Sequence, residues 1–180
     1  MTPPDMNDVV ILNEADIQRT LKRLTHELVE HNHGTENLVL MGIVTRGKHL
    51  ALRVARLLEE LEGKRVPVGY VDITLYRDDT SRNFKPTLES LVPVDLTNKT
   101  VVLIDDVLFS GRSVRAALDA MNAYGRPATV QLMVLLDRGH RELPIRPDFT
   151  GKNLPTARQE RVFVQLNEVD GHDQVMLRKS

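Results

Sequence analysis

The sequence predicts an α/β fold with a central, mostly parallel sheet flanked by helices. Two observations predict it: apolar runs of strand length alternate with helical patterns through most of the chain, and several of those runs are apolar on both faces. A third points to the ligand edge, because two of the runs end in small, hydroxyl or basic residues just ahead of a helix.

The first helix opens at Asn13, a good N-cap, with Asp16 in its first turn. Its apolar positions Ile17, Leu21, Leu24, Leu28 and Val29 recur at steps of three and four, giving one buried stripe. Leu38 to Val44 reads as a strand buried on both faces. The next helix carries Leu50, Ala51, Val54, Ala55, Leu58 and Leu61 and stops at Gly63. Val66 to Leu75 is a second strand. From Arg77 to Lys99 the pattern dissolves into a long polar segment, a length that inside a compact domain usually serves function, and it is expected to form a flexible flap. Asp72, Tyr76 and Arg77 lead into it. Thr100 to Ile104 is the third strand, Ser113 to Tyr124 a helix ended at Gly125 to Pro127, and Thr129 to Leu136 the fourth strand. Beyond Asp137 the alternation fails; Arg161 to Val169 and Gln174 to Lys179 read as two short strands around the turn DGHD.

The bulk composition narrows the function. At 180 residues one core is expected, burying roughly 70% of the unfolded surface. Net charge is -1, from 24 Lys plus Arg against 25 Asp plus Glu, so any polyanion site must be a local patch. With no cysteine there is no disulfide, thiolate metal site or thiol nucleophile, which suits a reducing cytoplasm. No apolar stretch approaches ~18 residues and the N-terminus lacks a basic flank, so neither a membrane span nor a leader is expected. Aromatic residues make up 4% and tryptophan is absent, leaving little for a base-stacking platform.

The chemistry concentrates at VVLIDDVLFSGRS, Val101 to Ser113. A buried parallel strand ending in Asp105 and Asp106 places both carboxylates at the edge where open α/β sheets bind ligands. Ser110, Gly111 and Ser113 follow just before a helix, where backbone N–H groups, hydroxyls and the helix dipole form an anion cradle. Carboxylate and phosphate at ~4 Å repel by about 4 kcal/mol per charge pair at an effective dielectric near 20, so something must separate them. A ribose 5-phosphate does so, with its phosphate in the cradle and its vicinal hydroxyls on the carboxylates. Thr45, Arg46 and Gly47 end the neighbouring strand with a second set of anion donors. Two cradles favour a ligand with two separated phosphate groups, such as phosphoribosyl pyrophosphate. Neither GxxxxGK[ST] nor GxGxxG after a strand is present. An acidic pair that accepts phosphate on a carboxylate, as in response-regulator receivers, stays open but leaves the serine-rich cradle unexplained. Arg138 follows the fourth strand directly and is expected to point into the same crevice; His140 is expected to be structural, since nothing pairs it with a nucleophile.

VVLIDDVLFSGRSVRAALDA resembles the phosphoribosyl pyrophosphate motif of type I phosphoribosyltransferases. DITLYRDD, GIVTRG, DRGHRELPIRPDFTGKNLPT and VQLNEVDGHD are similar, more narrowly, to the bifunctional pyrimidine operon regulators with uracil phosphoribosyltransferase activity. The similarity runs from VVILNEADI to the final strand. It implies the type I phosphoribosyltransferase fold over 1–180 as a single domain, with a flap at about 77–99 and a small C-terminal hood at about 137–180. It implies conversion of uracil to UMP with release of pyrophosphate, sensing of UMP and UTP, and binding of the leader mRNA of pyrimidine genes, with control either by transcription attenuation or by blocking translation. Asp105, Asp106 and Arg46 would be catalytic. Val107, Leu108, Phe109, Ser110, Gly111, Arg112 and Ser113 would hold the 5-phosphate, Thr45, Arg46 and Gly47 the pyrophosphate, and Arg138 and Val162 the nucleotide. RNA contacts would fall on His26, Arg141, Arg146 and Lys152. The family usually has LYTGRT where this chain has LFSGRS, and hydroxyl donors survive at Ser110 and Ser113. Mg²⁺ would be the cofactor, held mainly through substrate and through Asp105 or Asp106 by way of water. A homodimer or larger homo-oligomer and a cytoplasmic location are implied too. Two other classes share the pocket: a salvage enzyme without RNA binding, and a nucleotide-binding module without turnover.

Overall fold

The computed structural model describes residues 6–76 and 90–179. The elements in chain order are β1 (Asp8–Leu12), α1 (Glu14–Asn32), β2 (Leu38–Ile43), α2 (Arg46–Glu62), β3 (Val68–Val71), β4 (Thr100–Leu108), α3 (Arg112–Met121), β5 (Thr129–Asp137), β6 (Phe149–Asn153), β7 (Arg161–Gln165), α4 (Asn167–Asp170) and β8 (Gln174–Arg178). Five of the strands form an all-parallel sheet in the order β3-β2-β4-β5-β6. Because β3 lies on one side of β2 and β4 on the other, the strand order reverses between β2 and β4, which opens a crevice beyond their C-terminal ends.

The apolar stripes fall on opposite faces of this sheet. On one face α1 and α2 bury Ile17, Leu21, Leu24, Leu28, Leu50, Val54 and Leu58 against Leu40, Val102 and Ile104. On the other, α3 buries Val114, Ala117 and Met121 against Val101, Leu103 and Val134. Each fully buried aliphatic side chain contributes about 2 kcal/mol, which is why the doubly apolar strands define the centre. Helix α1 starts as expected: Asp16 N donates to Asn13 Oδ1 at 2.8 Å and Asn13 N to Asp16 Oδ2 at 2.9 Å, a reciprocal capping box. Helix α2 ends at Gly63, whose φ of 70° turns the chain while its N–H donates to Glu59 O at 2.9 Å.

A second sheet, β1-β8-β7, is antiparallel and joins the first strand of the chain to the last two. We call this sheet, with residues 166–173, the hood; its strand β7 lines a cleft with Arg46 and Asp106.

The structure corrects several sequence boundaries. Strand β3 spans Val68–Val71 rather than continuing to Leu75, and β4 runs four residues past Ile104, through both aspartates. Helix α3 gives way to a short 3-10 turn at Asn122–Tyr124. The region after Asp137 contains β6, a parallel edge strand whose sequence FTGKN buries only Phe149 and so carries no apolar run. The expected DGHD turn begins inside a one-turn helix, α4. Of the expected flap, residues 77–89 lie outside the described residues. Residues 90–99 are packed: Leu91 pairs with Tyr70 through two 2.9 Å backbone hydrogen bonds, and Leu96 is fully buried.

Candidate active site

Asp105 and Asp106 lie within β4, ahead of its end at Leu108. Each carboxylate accepts the next backbone N–H, Asp106 N on Asp105 Oδ1 at 2.9 Å and Val107 N on Asp106 Oδ1 at 2.8 Å. The alternation of the strand sends them different ways: Asp105 is buried at 8% exposure, and Asp106 is half-buried and lines a cleft with β7.

Leu108 to Ser113 then wrap a cleft of about 240 Å³ that Asp105 and Glu142 also line. Gly111 precedes α3 with φ of 94°, a left-handed conformation that favours glycine. The first residues of the ten-residue helix α3, Arg112 to Val114, line the cleft, and Ser110 Oγ accepts Arg112 N at 3.3 Å. Glu142, which no sequence pattern singles out, stands in its wall between Arg112 Nε at 3.2 Å and Arg158 Nη2 at 2.9 Å. Those two guanidiniums offset a carboxylate that would otherwise oppose an anion.

The Thr45–Gly47 turn packs directly on the carboxylate strand. A Cβ on Gly47 would overlap Ile104 O and stand 3.3 Å from Asp105 Cα, and one on Gly42 would meet Gly47 C and Lys48 Cα at 2.6 Å. Only glycines permit this approach, which draws the two cradles together. The Val44–Thr45 peptide is cis. Arg46 Nη2 donates to both oxygens of Asp170 in α4, at 3.0 and 3.1 Å, while its buried Nε has no partner among the described residues. Arg46, Asp106 and Asp170 line a second cleft of about 230 Å³ with Val162, Phe163, Val164 and Gln165 of β7. The structure thus brings Arg46, Asp106 and Val162 together around one opening.

Arg138 does not point into the crevice. It is 8% exposed, sits 4.2 Å from the centre of the Phe109 ring, and donates to Thr156 Oγ1 at 3.2 Å and to the carbonyls of Ala157, Arg158 and Glu160. Burial pulls its pKa below the ordinary guanidinium value, opposed by Glu160. An arginine that ends a strand has a loop to fasten as well as a crevice to face; here the loop takes Nε and Nη2, and Arg138 pins residues 156–160 onto the 108–113 turn. His140 helps, with Nε2 2.6 Å from Thr156 O.

Arg141 is also turned inward, contrary to its expected place on an RNA surface. It donates to Ile145 O at 2.8 Å, Phe109 O at 3.1 Å and the Asp137 carboxylate. Burial raises the pKa of Asp137, but the hydrogen bonds from Arg141 and Gly139 outweigh it and leave the carboxyl below its ordinary value. His26, Arg146 and Lys152 are exposed. Lys152 lies beside α1: the Asp16 carboxyl is held low first by its bond from the Asn13 N–H, then by Arg19 and Lys152, and Arg23 donates to Gly151 O.

Among the described residues no group of three His, Cys, Asp or Glu side chains converges to hold a metal ion, and no helix is long and apolar enough to cross a membrane.

Comparison with known proteins agrees with this geometry. The phosphoribosyl transferase domain model matches residues 11–166. The Bifunctional protein PyrR of Thermus aquaticus is 57% identical over 169 residues, covering 93% of each chain. That of Bacillus subtilis is 53% identical over 172 residues, covering 93% of this chain and 95% of the other. Among solved structures, a hypoxanthine phosphoribosyltransferase of Trypanosoma cruzi superposes with TM-score 0.75 at 14% identity, covering 99% of this chain and 95% of that one. A hypoxanthine-guanine phosphoribosyltransferase of Bacillus anthracis gives 0.71 at 17%, covering 96% and 98%. These establish the shared fold, and the closer sequences establish the branch: the chain belongs to the phosphoribosyltransferase family, among its bifunctional PyrR proteins.

Proposed function

We propose that the chain transfers the 5-phosphoribosyl group of phosphoribosyl pyrophosphate to uracil, giving UMP and pyrophosphate, and that occupancy of the same pocket by UMP or UTP controls its binding to the leader mRNA of pyrimidine genes. The observation that carries the reading is the meeting of two anion cradles, at the ends of β2 and β4, on one carboxylate pair roofed by β7. In this reading residues 107–113 hold the 5-phosphate, Asp105 and Asp106 the ribose hydroxyls, Thr45, Arg46 and Gly47 the pyrophosphate, and the β7 segment at Val162 the base.

Uracil N1 attacks the anomeric carbon while the bond to pyrophosphate breaks with its electron pair, and the N1 proton is lost. Positive charge builds on the ribose, where the two carboxylates stabilise it, and Arg46 neutralises the departing pyrophosphate. No side-chain nucleophile is required. Two adjacent carboxylates without a third ligand suit a Mg²⁺ ion held mainly by substrate oxygens and water, with Asp105 or Asp106 as its protein anchor. Bound there, the ion would supply charge neutralisation on pyrophosphate. The reading entails a cytoplasmic protein acting as a homodimer or larger assembly, which sedimentation equilibrium tests.

Incubation with uracil, phosphoribosyl pyrophosphate and Mg²⁺ should yield UMP, and Asp106→Asn should lose most of the turnover. An inert wild type or an unaffected variant refutes the enzymatic assignment. UMP should tighten binding to a leader RNA hairpin, and that binding should fall steeply with salt as phosphate contacts release counterions. No RNA binding in the presence of UMP leaves a salvage enzyme.

A further inference from the structure

Helix α2 carries two arginines seven residues apart, Arg46 and Arg53, about 10 Å along one face. Both reach into the same hood segment, residues 167–173. Arg53 Nε and Nη2 donate to Glu168 at 2.8 and 2.6 Å, while Nη1 and Nη2 donate to Asp173 at 2.7 and 2.8 Å. The Arg53 side chain is 17% exposed and that of Asp173 only 6%. Asp173 Oδ1 also accepts Asn167 N at 2.7 Å, closing the segment on itself. Between these anchors stands Asp170, whose Oδ2 accepts Leu166 N at 2.9 Å and whose two oxygens take Arg46 Nη2. Asp170 is the side-chain partner that orients the Arg46 guanidinium.

One guanidinium gripping two carboxylates bidentately is rigid in a way a single ion pair is not, because each fork fixes a plane as well as a distance. Arg53 therefore sets the position of the 167–173 segment relative to the start of α2, and through it the point at which Asp170 holds Arg46. We propose that Arg53 is a positioning residue for phosphoribosyl transfer: it acts through Asp170 to aim Arg46 at the pyrophosphate end of the substrate. This rests on the transfer activity proposed above. Arg53 itself lines a separate cleft of about 500 Å³ between α1, α2 and the hood, so it acts without touching substrate.

The test is steady-state kinetics with uracil and phosphoribosyl pyrophosphate on the full chain, comparing wild type with Arg53→Lys, Glu168→Gln, Asp170→Asn and the double variant Arg53→Lys/Asp170→Asn. Lysine keeps the charge and loses the fork; Glu168→Gln weakens the same grip at its more exposed end, so it reports even where the Arg53 variant fails to fold. Each single variant should raise the KM for phosphoribosyl pyrophosphate and the inhibition constant of pyrophosphate about tenfold, with kcat within threefold. The double variant should be no worse than Asp170→Asn alone, because both changes act on one link. UMP, which has no pyrophosphate, should bind within twofold of wild type. Arg65→Gln, which breaks only the exposed pair with Glu59, should behave as wild type. The proposal is overturned by unchanged pyrophosphate constants in Glu168→Gln, by multiplicative effects in the double variant, or by a matching loss of UMP binding. An active wild type with unchanged variants overturns this inference alone, whereas an inert wild type overturns the assigned activity.

Discussion

Gly42→Ala tests the contact that holds the two cradles together without altering any residue expected to touch ligand. Gly42 lies in β2 under the first turn of α2, and a Cβ there would stand 2.6 Å from Gly47 C and Lys48 Cα, both backbone atoms that no rotamer change moves away. Gly47 O would lie closer still, and ordinary contact begins near 3.4 Å, so the first turn of α2 must lift by about 1 Å from the sheet. A misplacement on the order of 1 Å costs a positioned reaction roughly 100-fold, so kcat/KM for phosphoribosyl pyrophosphate should fall about 30- to 100-fold. Overpacking of this kind destabilises by about 1–3 kcal/mol, which lowers Tm by roughly 3–10 °C at this chain length. Gly63→Ala is the control: φ is 70° there, but nothing lies within 4 Å of the added Cβ. It should lose about 1 kcal/mol from the strained conformation and keep wild-type kinetics. Initial-rate assays and thermal unfolding on all three proteins decide the matter. Gly42→Ala with kcat/KM within threefold of wild type refutes the claim that the Gly42–Gly47 approach sets the pyrophosphate turn.

Asn13→Ala removes an exposed reciprocal cap and should cost about 1 kcal/mol in urea unfolding, with no kinetic change. Acidification should loosen the hood. The hydrogen bonds of Arg53 hold Glu168 and Asp173 below their ordinary carboxylate values, so their stabilisation is complete above the unfolded-state pKa near 4 and is lost as pH falls through the lower folded values. Stability measured by urea unfolding from pH 6 to pH 3 should fall less steeply in Glu168→Gln/Asp173→Asn than in wild type; parallel profiles refute the link.

The parallel core was legible because burial on both faces leaves an unmistakable apolar run, as in Leu38–Ile43 and Val101–Ile104. The two turns were legible because their composition is local: Ser110, Gly111 and Ser113 fall within four backbone positions, and Thr45, Arg46 and Gly47 within three. What stayed hidden depends on partners far away in sequence. Asp170 meets Arg46 across 124 residues, and Arg53 meets Asp173 across 120. Their acidic segment, NEVDGHD, was visible as text without any sign of which cations it would meet. Arg138 and Arg141 read as surface or crevice cations because sequence shows the charge but not the carbonyls of residues 145 and 157–160 that absorb it. Strand β1 escaped for a different reason: Val9 and Val10 are exposed, so its pattern carries no core face to recognise.

The pairing of β1 with β8 sets an order of events during synthesis. Asp8 and Arg178 join across 170 residues, with Arg178 Nε 2.7 Å from Asp8 Oδ1. At about 5–20 residues per second, the first strand waits roughly 10–30 s on the ribosome for its partner, which is made only after all of β2 to β6. A nascent chain therefore completes its turns at residues 45–47 and 108–113 before β7 and β8 pair with β1, and the small antiparallel sheet is the last part of the fold to form.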